Sequence, residues 1–254
     1  MSPRTLAVIL EATDGELLDR WLAAGRLPAI AALAERGSMR RIDSAGEFIQ
    51  EATLASALTG VTTGGHGAYG WRVQAPGTHD RVRMDEGTWS KAFWEVAEEL
   101  APEARILLLD VTYGRLASGP RRTELRGWGM RVARRLTSHP PELAARIASR
   151  YPPHPAWLNR EYERSLREQR DYAETLIELA ERRGDLALEL LERGPWDLAT
   201  INFTEPHYGG HAFYHHERPD AAGHDAGEAG EVGDALARVY EAADRQIGRL
   251  VGAV

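Results

Sequence analysis

A short apolar run near the start of the chain passes directly into a helix-start signal, and this pair constrains the fold more than any other feature. Residues Thr5–Leu10 are rich in Leu, Val and Ile and are bounded by Pro3 and Glu11. A run of this length and composition is typical of a buried parallel strand. Residues 13–16 have the spacing of a capping box, led by Thr13, that starts a helix. The chain therefore begins as the βα unit of a doubly wound α/β sheet.

Two further apolar runs, at 105–110 and 197–203, predict additional buried strands. Apolar spacing and helix-boundary residues predict helices over 28–37, 161–193 and 234–250. The Gly-, Asp-, Ala- and Glu-rich residues 217–232 are typical of a mobile loop. The 254 residues are enough for one domain with a well-buried sheet. We therefore expect a single α/β domain over 1–254, with a helical insert at about 120–193.

The C-terminal helix predicts an incomplete sheet. A helix in a βαβ architecture normally feeds another strand, but the chain ends soon after Leu250. The sheet is then expected to lack a strand and to leave an unpaired edge, which natural proteins cover or pair. This predicts a homodimer or a second polypeptide as partner.

The net charge of −7 and the absence of Cys narrow the classes of partner and site. Lys and Arg are scattered along an acidic chain, which argues against nucleic acid and anionic membranes as partners. Without Cys, any metal must be held by His, Asp, Glu or backbone oxygen. The N-terminal apolar run is too short for a signal peptide, and no stretch reaches the roughly 18 apolar residues of a membrane span. The sequence therefore predicts a cytoplasmic protein.

Glu11 and the segment after the third predicted strand carry residue types that bind metals. Ligands of open α/β sheets lie beyond the carboxyl ends of the strands, where Glu11, His207 and His211 are expected to meet. Two His and one carboxylate are a common set for a metal that keeps open positions, and the glycines between the His residues allow the backbone to bend. The alternative is a polar, pH-sensitive surface loop. Three more His residues follow closely: His215, His216 and His224.

Residues 48–60 have the pattern of a loop that enters a short helix. The start of such a helix would offer backbone N–H groups to an anion. A Gly-rich stretch follows at 59–60 and 64–67, but it lacks the spacing of a Walker phosphate-binding loop. On pattern alone, the alternative is a helix end followed by a turn.

Taken in order, these segments resemble the alkaline-phosphatase superfamily, on its type I phosphodiesterase/nucleotide pyrophosphatase branch. Residues 10–28 are similar to the opening motif of that family, in which a strand ends in a metal-binding Asp-Gly. An ungapped match to the downstream residues places Glu11 at the ligand Asp, and Asp14, which precedes a glycine, is the alternative. The middle of this chain resembles that of bacterial members of the family, at residues 106–114, 126–129 and 138–143.

Residues 55–60 and 66–67 look like the Leu-Thr-Gly and His-Gly elements of the family. The Thr or Ser nucleophile of the family then falls on Gln50, which cannot form a covalent phospho-enzyme. Thr53, one helical turn away, is the nearest hydroxyl. The resemblance implies substrate contacts at Thr53, Thr59 and His66.

Residues 203–211 look like the Asp-x-x-x-His metal motif of the family, with His211 at the His and His207 in place of the Asp. Residues 240–250 resemble the helix that precedes its Asp-His-Gly motif, beyond which this chain does not extend. The resemblance therefore implies an alkaline-phosphatase-like, mostly parallel sheet flanked by helices, C-terminally truncated so that the last strands of the family are lacking. It also implies altered residues at Glu11, Gln50 and His207.

The altered positions carry carboxylate and imidazole groups, which favours a rebuilt metal site over a dead one. We expect a repurposed metal-dependent enzyme that binds one divalent ion, Fe, Zn or Mn, through Glu11, His207 and His211, and acts on a small molecule. The ion would suit Fe(II) oxygenase chemistry or Zn/Mn hydrolase or lyase chemistry. The residues expected to face the substrate as catalytic groups are Gln50, Glu205, His215 and His216.

Standard phosphodiester hydrolysis is not expected, because the nucleophile and half of the ligands of the two-metal mechanism are missing. The alternatives to an enzyme are a non-catalytic binding or scaffolding subunit, or one half of a split phosphodiesterase whose second polypeptide supplies the missing ligands.

Overall fold

The computed structural model describes residues 4–42, 49–75, 77–84, 90–111, 113, 114, 116, 119–129, 135–152 and 164–254. The strands are β1 (Thr5–Leu10), β2 (Arg72–Gln74), β3 (Arg81–Arg83), β4 (Ile106–Leu109), β5 (Arg122–Arg126), β6 (Thr137–His139) and β7 (Leu198–Phe203). The helices are α1 (Gly15–Ala23), α2 (Pro28–Arg36), α3 (Gln50–Thr59), α4 (Thr63–His66), α5 (Phe93–Leu100), α6 (Glu142–Arg150), α7 (Leu166–Leu191), α8 (Glu205–Glu217), α9 (Ala226–Val232) and α10 (Ala235–Gly252).

The central sheet has the strand order β1–β7–β4–β5–β6. Its first four strands are parallel, and β6 runs antiparallel to β5. The prediction of an α/β fold with a mostly parallel sheet flanked by helices is confirmed. The helical insert predicted at about 120–193 is wrong in its first part, because β5 and β6 lie there and belong to the central sheet.

Charged residues hide β5 from a search for apolar runs. Arg122, Glu124 and Arg126 are three of its five residues, and all three are buried. Arg122 forms an ion pair with Glu98 on α5, and Arg126 forms one with Glu124. Charged residues are almost never fully buried unless they are paired. The pairing therefore makes this strand possible, and the pairing partners are not visible in the sequence pattern.

Helices cover both faces of the sheet. Leu107 and Leu109 of β4 pack in one cluster with residues of α6, α7 and α10. Ile106 and Leu108, which alternate with them, pack on the other face with residues of α3 and α5. The layers leave the carboxyl ends of β1, β7 and β4 at a common edge of the sheet. Among the residues that the structure describes, no helix is both long enough and apolar enough to cross a membrane.

Two helices start at Asp residues that the sequence interpretation did not identify as caps. Oδ1 of Asp14 accepts the backbone N–H groups two and three residues later and so caps α1. The predicted capping box led by Thr13 is wrong, because the Thr13 hydroxyl donates to the carbonyl oxygen of Leu10. Asp225 caps α9 in the same way as Asp14. The predicted mobile loop at 217–232 therefore contains a helix, since an Asp cap satisfies the free N–H groups of its first turn.

A buried ion network joins α7, the end of β4 and the start of α8. Nε of Arg183 donates to both carboxylate oxygens of Glu205 at 2.9 and 3.0 Å, and its Nη1 donates to Oδ2 of Asp110 at 2.7 Å. The Asp110 carboxylate also accepts the backbone N–H groups of residues 127–129. None of the three charged side chains has exposed surface. A Cβ atom at Gly129 would lie 1.8 Å from Nη2 of Arg183, so glycine is required there.

The outer edge of the sheet at β1 is unpaired within the described residues. The N–H groups of Thr5 and Glu11 donate to the β7 side, so those of the even-numbered residues between them point outward. The side chains of residues 6–10 are only partly buried. A homodimer or a second polypeptide at this edge stays a prediction. Light scattering at high protein concentration should report a mass above that of one chain, and a strictly monomeric protein would contradict the homodimer.

Candidate functional site

A cavity of about 1090 Å³ opens at the carboxyl edge of β1. Its wall consists of residues 9–14 at the end of that strand, one face each of α3 and α8, and residues 221–222. Ligands of open α/β sheets bind at this position. Six of the residues predicted from the sequence to form the site line this cavity: Glu11, Gln50, Thr53, His207, His211 and His215.

Four of the five His residues, at 207, 211, 215 and 216, lie on the helix α8, so the surface-loop alternative is wrong for them; His224 lies in the connection between α8 and α9. His207, His211 and His215 recur every four residues, which places them on one helix face. The glycines between them do not bend the backbone. A Cβ atom at Gly209 would lie 2.9 Å from Cδ1 of Leu236 on α10, so this glycine permits close packing of two helices.

The three predicted metal ligands make two separate contacts. Nε2 of His207 lies 3.0 Å from Nε2 of His211, whereas Nδ1 of His207 lies 3.6 Å from Oε1 of Glu11. Because these contacts use opposite ring nitrogens, the three side chains do not converge on one point. Within the described part of the chain, no group of three or more His, Asp or Glu is placed to hold a metal ion. The predicted three-ligand site is therefore not formed in this arrangement.

The two His residues nevertheless fit two positions on a single ion. Two tetrahedral ligands at about 2.05 Å from Zn²⁺ are about 3.3 Å apart, close to the 3.0 Å between the two Nε2 atoms. Glu11 lies on the Nδ1 side of His207, where a carboxylate orients a metal-binding imidazole. The donor set thus suits an ion that keeps further positions open.

Two side-chain amides hold the Glu11 carboxylate. Gln50 donates Nε2–H to Oε1 at 2.7 Å, and Asn202 donates Nδ2–H to Oε2 at 3.1 Å. Asn202 was missed in the sequence; its position near the carboxyl end of β7 was the only available indication. Its amide also donates to the carbonyl oxygen of Asp110, which links the cavity to the buried ion network. Burial raises the pKa of Glu11 to about 7, although the hydrogen bond from Asn202 and the charge of Arg183 lower it.

Two residues predicted to face the substrate lie in the core instead. Glu205 has no exposed surface and pairs with Arg183. Nε2 of His216 lies 2.6 Å from Oε1 of Gln169, and burial, with the charges of two neighbouring His residues, lowers the pKa of His216 to about 4. Neither side chain lines the cavity. The helical period explains this result, since both positions fall off the face that carries the other His residues.

Two predicted substrate contacts stabilise the end of α3 and its turn. The Thr59 hydroxyl donates to the carbonyl oxygen of Ala55 at 2.7 Å. The N–H of Ala68 donates to Nδ1 of His66, so the ring proton is on Nε2, 3.0 Å from Oγ of Ser56. Burial lowers the pKa of His66. Neither residue lines the cavity, and the alternative of a helix end followed by a turn describes this segment.

Asp14 and Tyr214 also line the cavity. The Tyr214 hydroxyl donates to Oδ2 of Asp14 at 3.3 Å. Asp14 was considered only as an alternative to Glu11, but its side chain contacts Tyr214 and the first turn of α1, whereas Glu11 contacts His207. Tyr214 was missed, although it follows His207 by seven residues and so shares its helix face.

Comparison with known proteins agrees with this architecture. Two solved structures of phosphonoacetate hydrolase from Sinorhizobium meliloti 1021, in complex with phosphonoformate and phosphonoacetate, superpose with TM-scores of 0.59 and 0.58. Each shares 17% sequence identity with this chain. The match covers 99% of this chain but 54% of the hydrolase chain, so this chain spans about half of the hydrolase's length. At this identity the likeness shows the fold alone.

No curated protein sequence matches the chain significantly. The family model for type I phosphodiesterase / nucleotide pyrophosphatase matches residues 5–254, which is nearly the whole sequence. The chain therefore belongs to the type I phosphodiesterase/nucleotide pyrophosphatase family of the alkaline-phosphatase superfamily.

Proposed function

We propose that this protein is a metal-dependent hydrolase-type enzyme that acts on a small molecule through one divalent ion, Fe, Zn or Mn, held by His207 and His211. The observation that carries the proposal is the 3.0 Å separation of their Nε2 atoms, on the helix face that lines the cavity. The family match favours hydrolysis over oxygenase or lyase chemistry. Elemental analysis of the purified protein, with variants of both His residues, tests the proposal.

Each group around His207 and His211 has a separate role in the proposed site. His207 and His211 would hold the ion, which when bound would supply a charge to polarise a substrate oxygen or to lower the pKa of water. Glu11, fixed by two amides, lies 3.6 Å from Nδ1 of His207 and would orient this ring once an ion is bound. Leu54 and Ala57 of α3 contribute apolar surface to the cavity wall.

Simple aryl phosphomonoesters and phosphodiesters should be turned over negligibly when Zn, Mn or Mg is added. Gln50 stands at the nucleophile position of the family and donates its amide to Glu11, so no hydroxyl attacks phosphorus from that position. Release of the aryl alcohol, followed by absorbance, measures the rate. Robust metal-dependent turnover that disappears in Gln50→Ala would contradict this expectation.

The second candidate is a non-catalytic binding subunit, or one half of a split phosphodiesterase. It is favoured by the lack, among the described residues, of three side chains placed to hold an ion. In that case the purified chain would carry no stoichiometric metal and would associate tightly with a second polypeptide.

A further inference from the structure

One face of α8 lines the cavity along its length. The lining residues of this helix are His207, Gly210, His211, Tyr214 and His215, which follow the i, i+3, i+4, i+7, i+8 pattern of a single helix stripe. His207 and Tyr214 are separated by seven residues, or about 10 Å along the helix axis. His211 precedes Tyr214 by only three residues, or about 4.5 Å along the axis, so the His pair and Tyr214 are neighbouring parts of one stripe with different chemistry.

The lining of the cavity carries acidic side chains. Glu11 and Asp14 both carry carboxylates, and no Lys or Arg is among the described residues that line the cavity. Arg218, whose charge acts on Tyr214, is paired with Glu16 and Asp220 and does not line the cavity. Glu11 receives two amide donors and faces an imidazole, so its charge is met within the wall. Asp14 has no comparable partner in the cavity.

The two carboxylate oxygens of Asp14, which lines the cavity, differ in their hydrogen bonds. Its Oδ1 accepts two backbone N–H groups of α1, each at 2.9 Å, and so serves the helix. Its Oδ2 has the single hydroxyl of Tyr214 at 3.3 Å, which is a long contact for an O–H donor to a carboxylate. A carboxylate oxygen has room for a further donor. The Tyr214 ring adds a face that attracts cations.

We propose that Asp14 and Tyr214 form a subsite for a cationic group of the substrate, an organic ammonium, beside the part of the cavity that holds His207 and His211. The proposal rests on the proposed function, because it names the substrate class of the same cavity. The ammonium group donates to Oδ2 of Asp14 and lies against the Tyr214 ring. The apolar side chains of Leu10, Leu54 and Ala57, which also line the cavity, contact the carbon chain of the substrate.

The test compares the binding of n-hexylammonium and n-hexanol, which differ at one end group, to the intact protein by calorimetry or NMR titration. The parent should bind the ammonium probe about tenfold more tightly, as expected for one charge-assisted contact. Asp14→Asn should remove this preference. Asn is as good a helix cap as Asp, so α1 should persist. Asp14→Ser gives a second capping variant if the first does not fold.

Asp225→Asn is the matched control. Asp225 caps α9 with the same two hydrogen bonds, and it does not line the cavity. It should therefore keep the tenfold preference, although it loses the same charge. An equal loss in both variants, an unchanged preference in Asp14→Asn, or no preference in the parent would overturn the proposal.

The variant His211→Ala tests the metal-binding proposal separately from the subsite proposal. That variant should lose the metal and keep the preference for the ammonium probe. If the preference is absent while metal binding is intact, only the subsite proposal fails. If metal binding is absent while the preference is intact, only the proposed function fails.

Discussion

Purified protein should contain about one equivalent of Fe, Zn or Mn per chain, and either His207→Ala or His211→Ala should remove it. Each residue supplies one of the two Nε2 atoms that lie 3.0 Å apart, so neither can hold an ion alone. Glu11→Ala should weaken binding by about 10- to 100-fold, which is typical when the carboxylate behind a metal-binding His is removed. Elemental analysis of anaerobically purified protein, followed by titration of the stripped protein with each metal, measures both effects.

Two variants serve as controls for the metal site. His79→Ala removes an exposed imidazole near the β2–β3 turn, away from the cavity lining, and should retain the metal. Asp14→Ala should retain it too, because Asp14 contacts Tyr214 and α1. Loss of metal in Asp14→Ala with retention in Glu11→Ala would show that the first motif is assigned to the wrong carboxylate. Parent-like binding in every variant would show that the site lies elsewhere.

Arg183→Met should lower the free energy of unfolding by about 3–5 kcal/mol, the usual effect of breaking a buried ion pair. The substitution keeps much of the side-chain volume but leaves the carboxylates of Asp110 and Glu205 buried without their cation. Denaturant unfolding, monitored by circular dichroism, measures the loss. Since Glu205 opens α8, the variant should also disturb the helix that carries the His residues.

Arg245→Met is the matched control for this comparison. Arg245 pairs with Glu181, and both side chains are about half exposed. Exposed pairs contribute about 0–1 kcal/mol, so the control should unfold almost as the parent does. Similar losses in the two variants would contradict a structural role for the buried network.

The strands and helices with a clear apolar pattern were predictable. β1, β4 and β7 are short aliphatic runs, and α10 carries its apolar residues at helical spacing, so local sequence was sufficient for them. β5 was not predictable from its charged residues. The partner of Arg122, Glu98, lies on a separate helix, and Arg126 pairs with Glu124 of the same strand only once that strand has formed. α9 was missed because its composition resembles that of a loop.

The cavity was predictable from the rule that ligands bind at the carboxyl ends of parallel strands, which brought Glu11 and the α8 His residues to one place. The orientation of single side chains was not. Glu205 is of a residue type that often takes part in catalysis, but it pairs in the core with Arg183, which lies 22 residues earlier on α7. His216 is adjacent to His215 in sequence, yet the helical turn directs it to Gln169. The metal and catalytic roles of the lining residues stay predictions.

The close packing of α8 on α10 has a consequence for the rigidity of the cavity wall. Gly209 lets the two helices approach, because the Leu236 side chain occupies the space that a side chain at position 209 would need. This tight contact restricts movement of α8 against α10, so the His residues and Tyr214 on the cavity face of α8 keep their relative positions. A pre-organised face of this kind would lose little conformational entropy when a ligand binds.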